Sequence, residues 1–314
     1  MGSGAPLKLP TIDFSRQNLK PGTIEWDSVR ARVRFALEEY GCFEALFNKV
    51  PSDVRKGIFE ATEELFDLPL QTKLRNVSQK PFHGYVGQYP VVPVYESMCI
   101  EEANVYGQVQ SFTNIFWPQQ NPNFSKTVHS FSEKLSELDQ IIRRMILESL
   151  GLEKYLEEHI GSTNYLLQVM KYKGPQTSET KPYTHTDKNI VTILHQNQVE
   201  GLEVQTKDGK WINVKPSPES FIAMIGDSLD AWTNGRLHCP HHRHPMTGNE
   251  AKYSTALFSF PKAGYIIKAP EEVVDEEHPL LFKPFDNVEF LGFCFSEAGQ
   301  RAQSALKTYC GVEN

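Results

Sequence analysis

His185-Thr186-Asp187 is followed, 55 positions after the aspartate (242 − 187), by His242-Arg243. Short β-type runs flank both pieces, at 190–196 after the first and 252–260 after the second. On a strand, residues i and i+2 point to the same side, so His185 and Asp187 can converge on one point. A second histidine must then arrive from a strand that is near in space and distant in sequence. Two imidazoles and a carboxylate gathered in this way can occupy one face of a metal ion and leave the opposite face open. His-x-Asp arises often by chance, so its weight comes from the sequence around it.

Outward from that centre, β-type runs dominate the chain after Thr163: 165–173, 190–196, 202–206, 211–214, 219–225, 252–260 and 264–268. Lys207-Asp208-Gly209-Lys210 has the composition of a hairpin turn between two of them. The N-terminal part reads differently. Leu9 to Phe14 is a short strand, and Val29, Val33, Leu37 and Tyr40 recur at helical spacing up to a terminating Gly41. Cys42 to Ala45 returns as a strand, and a second helix opens at Pro51-Ser52-Asp53 with Val54, Ile58, Ala61 and Leu65 on one face. Residues 80–93 form a polar stretch with Pro and Gly. The clearest helix spans 126–149, with Val128, Phe131, Leu135, Leu138, Ile142 and Met145 spaced by three or four and Gly151 closing it. A last helix is expected over 286–309. The layout predicts an α+β protein whose closely spaced strands form a sandwich or jelly roll with helices outside.

Composition narrows the class. The chain has 314 residues, 39% hydrophobic and 23% charged, with a net charge of −7. No basic stripe stands out, so no nucleic-acid partner is expected. No stretch reaches the roughly 18 apolar residues of a membrane span, and residues 1–14 contain no apolar secretory segment. Cys42, Cys99, Cys239, Cys294 and Cys310 are odd in number, scattered and without a CxxC pair, which suits free thiols in a reducing compartment. The expectation is a cytoplasmic monomer acting on a small molecule.

With both halves of the triad in place, the chain resembles the plant 2-oxoglutarate- and Fe(II)-dependent dioxygenases along nearly its whole length. Leu9-Pro10-Thr11-Ile12-Asp13 is similar to the family's opening strand, Tyr40-Gly41-Cys42-Phe43-Glu44 to its WGFF segment, and Leu65-Phe66-Asp67-Leu68-Pro69 to its FFxLP. Gly226-Asp227 and Asn234-Gly235-Arg236 stand where the family has its GD and NG elements before the distal histidine. Pro81-Phe82-His83-Gly84-Tyr85, and Asp275-Glu276-Glu277-His278-Pro279 through Phe285, are similar to the AOP-like branch. That branch includes glucosinolate side-chain dioxygenases, and the chain is also similar to hydroxylases of steroidal glycoalkaloids. The resemblance implies a double-stranded β-helix core. It divides the chain into a helical N-terminal region (1–110), a connecting long helix (111–162), the core (163–270) and a C-terminal helical closure (271–314).

Carried over residue by residue, the resemblance makes His185, Asp187 and His242 the iron ligands. The distal text is His238-Cys239-Pro240-His241-His242-Arg243-His244, so several histidines compete. Register from Asn234-Gly235 and the His-Arg pair favours His242 over His241 and His244. The family has Arg-x-Ser ten positions after that histidine to hold the far carboxylate of 2-oxoglutarate; here (242 + 10) it is Lys252-Tyr253-Ser254. Arginine offers two parallel hydrogen bonds and lysine a compact charge. Losing one charge-assisted bond of roughly 1.5–3 kcal/mol would weaken binding about tenfold or more. The other reading makes Lys252 a surface lysine. Tyr172 matches the tyrosine of the family's Asn-x-Tyr, although Met170 replaces the Asn. Phe82, His83, Tyr85, Tyr95, Phe116 and Phe258 are the candidates for a substrate pocket, each with core packing as its competing reading.

The resemblance further implies Fe(II) as cofactor, 2-oxoglutarate and O2 as cosubstrates, and ascorbate as an activator. Decarboxylation to succinate and CO2 would accompany hydroxylation of a C–H bond, on a steroidal or alkaloid-type scaffold of specialised metabolism. O-demethylation and desaturation are open to the same mechanism. Asp187 argues against halogenation, because halogenating relatives carry a small residue there. Two readings of another kind remain: a catalytically impaired small-molecule binding protein with Lys252 as the lesion, and a cupin-like metalloenzyme that ignores 2-oxoglutarate.

Overall fold

The computed structural model describes residues 7–80, 83–89, 92–173, 182–245 and 248–313. The strands are β1 (Thr11–Asp13), β2 (Cys42–Leu46), β3 (Val86–Tyr89), β4 (Val92–Glu101), β5 (Thr163–Tyr172), β6 (Val191–Gln196), β7 (Glu203–Gln205), β8 (Trp211–Asn213), β9 (Ser220–Ile225), β10 (His242–Arg243), β11 (Lys252–Pro261), β12 (Ile266–Ile267) and β13 (Phe285–Asp286). The helices are α1 (Ile24–Glu39), α2 (Ser52–Asp67), α3 (Leu70–Lys73), α4 (Tyr106–Phe116), α5 (Pro122–Ser149), α6 (Leu156–Gly161), α7 (Asp227–Trp232), α8 (Asn287–Phe295), α9 (Glu297–Arg301) and α10 (Ala305–Cys310).

Eight strands form one sheet in the order β1-β2-β9-β6-β11-β5-β4-β3, and β10-β7-β8 form a second, smaller sheet. All neighbours in the large sheet are antiparallel except β1 and β2. Both faces of the large sheet are covered, which explains why β6 and β9 are buried at every position. The period-two alternation sorts the side chains. Leu167, Val169, Val191, Ile193, Phe221, Ala223 and Leu257 join the larger core under the helices. Met170, Tyr172, Leu194, Ile222, Met224 and Ala256 join a second cluster with Leu202, Val204 and Val214 of the small-sheet region. The second cluster is the interior between the sheets, and the site lies there.

The helical layer is anchored by α5, which touches α1, α2 and α4 on its sides and β6 and β11 beneath. Its buried stripe includes Phe131, Leu135, Leu138, Ile142 and Met145. Asn121 caps its first turn by accepting from the Phe124 N–H, and Gly151 (φ +71°) ends it in the left-handed conformation. Gly41 carries a heavier constraint. Its φ is +70°, and a Cβ there would lie 2.0 Å from the His238 carbonyl oxygen. The end of α1 is therefore pressed against the loop that leads to His242, and the His238 N–H donates to the Leu37 carbonyl.

The structure differs from the expectations in three places. The polar stretch 80–93 contains β3 and the start of β4, a hairpin with a register irregularity between Gly87 and Tyr89. Helix α4 precedes α5 as a separate element. The single closing helix is three short ones. Ser296 takes an extended conformation and caps α9 by accepting from the Gly299 N–H, and Ser304 caps α10 in the same way through Lys307. None of the five cysteines forms a disulfide among the described residues. No described helix is long and apolar enough to cross a membrane.

Candidate metal centre and cosubstrate site

The loop 185–190 enters β6, and β10 lies on the edge of the small sheet. His185 and His242 join them: the His185 N–H donates to the His242 carbonyl (3.1 Å), and the His242 N–H to that of His185 (2.9 Å). Their rings lie 4.2 Å apart. Asp187 lies beyond this bridge rather than on a regular strand, and local hydrogen bonds set its position. Its backbone carbonyl accepts from the Asp227 N–H (2.8 Å), and its Oδ2 accepts from the Thr192 hydroxyl at 2.5 Å. Oδ1 is then left facing Nε2 of His242 at 3.7 Å and Nε2 of His185 at 3.9 Å. Among the described residues, these three form the one group of His, Cys, Asp or Glu able to hold a metal, with donor atoms within 4.8 Å of one another. Burial, and then the neighbouring His242 ring, push His185 down to about 3, so it presents the neutral imidazole that a metal needs.

The GD and NG elements have physical roles. A Cβ on Gly226 would lie 2.3 Å from the Asn189 carbonyl oxygen, so only glycine lets β9 end against the loop. Asp227 then accepts from Lys188 Nζ (2.7 Å) and the Thr186 hydroxyl (3.1 Å), bracketing the segment that carries Asp187. Asn234 (φ +52°) and Gly235 (φ +73°) turn the chain after α7. The Asn234 amide donates to the carbonyls of Val273, His278 and Pro279, which fastens the C-terminal segment beside the distal-histidine loop.

Among the competing histidines, His241 is exposed and His238 is tied to α1. Arg243 alternates outward, with its guanidinium on Glu203 (2.6 Å) and 3.9 Å over the Trp211 ring. His244 points back inward, half-buried, its ring 6.0 Å from that of His242.

Lys252 is fully buried, which is not the position of a surface lysine. It pairs across β11 and β5 with Tyr172, and Ser254 pairs with Met170. Nζ donates to the Gly201 carbonyl at 2.6 Å, lies 3.2 Å from His244 Nδ1 and sits 5.5 Å over the Tyr172 ring. Burial alone pushes the ammonium down to about 7. Ser254 Oγ lies 4.0 Å from the Met170 sulfur, and the Tyr172 hydroxyl donates to the same sulfur.

The substrate-pocket candidates separate. Tyr95 lies against the interior cluster with its ring 5.0 Å from Tyr172, and Phe258 packs there too. Tyr85 donates to Glu96 (2.6 Å) beneath the Lys73 ammonium, and His83 Nδ1 sits 3.0 Å from Glu101. Phe116 packs with Phe112 and Trp117 in the core under the helices. Phe82 lies outside the described residues. His244 enters the sequence only as a competitor for the distal metal position, although the alternation His242-Arg243-His244 marks it as turned to the same side as His242. Neither Thr192 nor Tyr183 is marked by anything local; Tyr183 is 77% exposed with its ring stacked 5.4 Å from that of His185.

Comparison with known proteins agrees with this geometry. Residues 163–261 match the 2OG-Fe(II) oxygenase superfamily, and residues 9–98 match the non-haem dioxygenase N-terminal family described from morphine synthesis. The chain is 56% identical over 311 residues to the "Probable 2-oxoglutarate-dependent dioxygenase AOP1.2" of Arabidopsis thaliana, covering 96% of each. It is 36% identical to the 2-oxoglutarate-dependent dioxygenase AOP3 of the same plant, covering 99% of each. A crystal structure of the rice dioxygenase for auxin oxidation superposes with a TM-score of 0.82 at 29% identity, covering 97% of this chain and 100% of that one. The chain therefore belongs to the 2-oxoglutarate- and Fe(II)-dependent dioxygenases, in the AOP branch, with the family's double-stranded β-helix fold and its two cofactors, Fe(II) and 2-oxoglutarate.

Proposed function

We propose that this dioxygenase hydroxylates an unactivated C–H bond of an apolar, ring-bearing plant metabolite, with a steroidal or alkaloid-type scaffold as the first candidate class. The observation that carries this reading is the interior cluster beside the triad. Met170, Tyr172, Tyr95, Leu194 and Phe258 offer apolar and aromatic surface with few charges, which suits a rigid ring system better than a small polar acid. The aromatic positions act by shape and water exclusion.

His185, Asp187 and His242 hold the iron in this reading, and Lys252, Ser254 and Tyr172 hold 2-oxoglutarate. Iron bound there supplies the activation of O2, coupled to decarboxylation of 2-oxoglutarate to succinate and CO2. One oxygen atom enters succinate and the other enters the product alcohol. Thr192 keeps Asp187 in a single-oxygen presentation by engaging Oδ2. Lys252 fixes the far carboxylate, so that the keto end is aimed at the triad.

The test is incubation with Fe(II), ascorbate, 2-oxoglutarate and a panel of steroidal, alkaloid and indole-type plant metabolites under 18O2. The expected product is 16 mass units heavier than its substrate, the mass of one oxygen atom, or 18 when labelled. A product lighter by two hydrogens, or by CH2 with formaldehyde released, moves the assignment to desaturation or O-demethylation. Turnover confined to polar, ring-free acids overturns the substrate class.

A further inference from the structure

The inner face of the large sheet is sealed almost everywhere. One row of side chains crosses β4, β5 and β11 at Tyr95, Tyr172 and Lys252, and another crosses β5, β11 and β6 at Leu166, Phe258 and Thr192. From the first row to the second, and apart from Glu101 at the rim, the inward side chains that keep partial exposure are Tyr95, Gln168 and Phe258. A partly exposed side chain on an otherwise buried inner face borders open space. That space adjoins the metal centre: Phe258 pairs with Thr192, whose hydroxyl holds Asp187, and His185 and Asp187 are partly exposed as well.

The middle of this wall is a carboxamide between two aromatic rings. Gln168 pairs across the sheet with Ala256, whose methyl group leaves it uncovered on that side. Its Nε2 makes only long contacts, 3.4 Å to the Tyr95 hydroxyl and 3.5 Å to that of Ser97. Its carbonyl oxygen has no partner among the described residues. The charges nearby are turned away or engaged. Lys171 and Lys173 face the other side of the sheet, on Asp67 (2.9 Å) and Glu96 (3.6 Å). Glu101 is held at the rim by Lys80 and His83, and Lys252 is fully buried against the Tyr172 ring. A carboxylate set against this wall would lose its water and meet no cation, which is costly. An uncharged hydroxyl, ketone or amide would meet both the donor and the acceptor of Gln168.

We propose that Gln168 is a specificity-determining residue that reads one uncharged hydrogen-bonding group on an otherwise apolar substrate. Tyr95 and Phe258 flank it and take the ring faces beside that group. The wall thereby admits neutral alcohols, ketones and amides and rejects the corresponding carboxylates. This inference rests on the reading of the interior cluster as the substrate wall.

The test is equilibrium dialysis of the protein loaded with Fe(II) and 2-oxoglutarate, kept anaerobic so that binding is read without turnover. The probes are four saturated steroids that differ only at one terminal ring, which carries a hydroxyl, a ketone, a carboxylate or hydrogen alone. The parent should bind the alcohol and the ketone about tenfold tighter than the hydrocarbon or the carboxylate. Gln168→Leu, close in size and without polar atoms, should abolish the preference over the hydrocarbon. Gln168→Arg should make the carboxylate the tightest of the four, because it supplies the missing cation. A parent that prefers the carboxylate overturns the inference. So does a preference that survives in Gln168→Leu, or a loss of 2-oxoglutarate affinity in that variant as large as the loss for the alcohol. If none of the four binds the parent, the steroidal scaffold of the proposed function fails, and thiol mapping decides the inference on its own. Gln168→Cys should then be modified by a neutral methanethiosulfonate about tenfold faster than by its sulfonate-bearing analogue, the charged reagent having to shed water at the wall. It should also react faster than Met170→Cys, a position on the same strand that is sealed. A cysteine at 168 as slow as one at 170, or indifferent to reagent charge, overturns the inference.

Discussion

Along β11, Tyr253 and Leu257 turn toward the helices, while Lys252, Ala256 and Phe258 turn toward the small sheet. The same ten-residue strand serves two environments. On the helical side, α5 seals the sheet and the packing is Phe131, Leu135, Leu257 and Phe221, residues whose only task is to fill space. On the inner side stand a lysine, tyrosines and methionines that are also buried but carry donor and acceptor atoms, beside the histidines of the triad. Stability is concentrated on one face and chemistry on the other, one residue apart. A one-residue register slip would exchange them, so the fully sealed helical face is also what holds the catalytic register.

The largest effect should come from the inner side. His185→Ala, Asp187→Ala and His242→Ala should each lower turnover by about a thousandfold or more, since a two-ligand site no longer holds the metal in place. Apo melting temperatures should stay close to the parent. Activity surviving in His242→Ala but lost in His241→Ala would show the register to be wrong.

Leu257→Ala should do the reverse. It should cost about 2–5 kcal/mol in urea or thermal unfolding by opening a cavity under α5. The dissociation constant of 2-oxoglutarate, measured well below the unfolding transition, should not move. A shift in that constant as large as the stability loss would mean the two faces are not separable.

Thr192→Ala sharpens the division within the site. Freed from its hydroxyl partner, Asp187 can rotate, and Fe(II) affinity should fall about 10–100-fold. Chelator competition reads this directly, and an unchanged iron affinity would remove Thr192 from the site.

The smallest effect is one of pH. Burial holds the Lys252 ammonium down to about 7, and it is faced by His244, Tyr172 and the Gly201 carbonyl, with no acid beside it among the described residues. In the free protein the cation is lost as pH rises through that value. Affinity for 2-oxoglutarate should therefore be strongest below about pH 7 and weaken above it, by at most about tenfold per unit. The stability of the apo protein runs the other way. The unfolded lysine keeps its proton to about 10.5, so between 7 and 10.5 the unfolded state binds more protons and stability rises with pH. A flat affinity between pH 7 and 9 would leave the lysine without an anchoring role.

Much of this was readable in the residues. The runs at 190–196, 219–225 and 252–260 match β6, β9 and β11 because each strand carries a concentrated stretch of aliphatic, β-branched and aromatic residues, Val191–Leu194, Phe221–Ile225 and Ala256–Phe258, that stands out from its flanks. The helix face from Val128 to Met145 was visible because α5 packs one stripe for seven turns. The hairpin of β3 and β4 was hidden, since its first strand is short and rich in Gly and Gln. The closing helix was over-joined because Ser296 and Ser304 read as ordinary polar positions until their capping geometry is seen. In the site, residue types and spacing pointed to His185, Asp187 and His242. Thr192 was not legible, because its role depends on how the loop folds back on β6, and His244 was hidden among three other histidines in one short stretch.

The bridge between His185 and His242 has one further consequence. These residues are where the loop entering the large sheet meets the edge of the small one, so the three converging side chains straddle the joint between two layers. An ion seated there is a rivet as well as a reagent. Binding only the folded form, it adds stability that grows with metal concentration. Removal of the metal should loosen this joint before any other part of the fold. The first amides to exchange faster in the stripped enzyme should be those of His185 and His242, whose mutual hydrogen bonds are the seam.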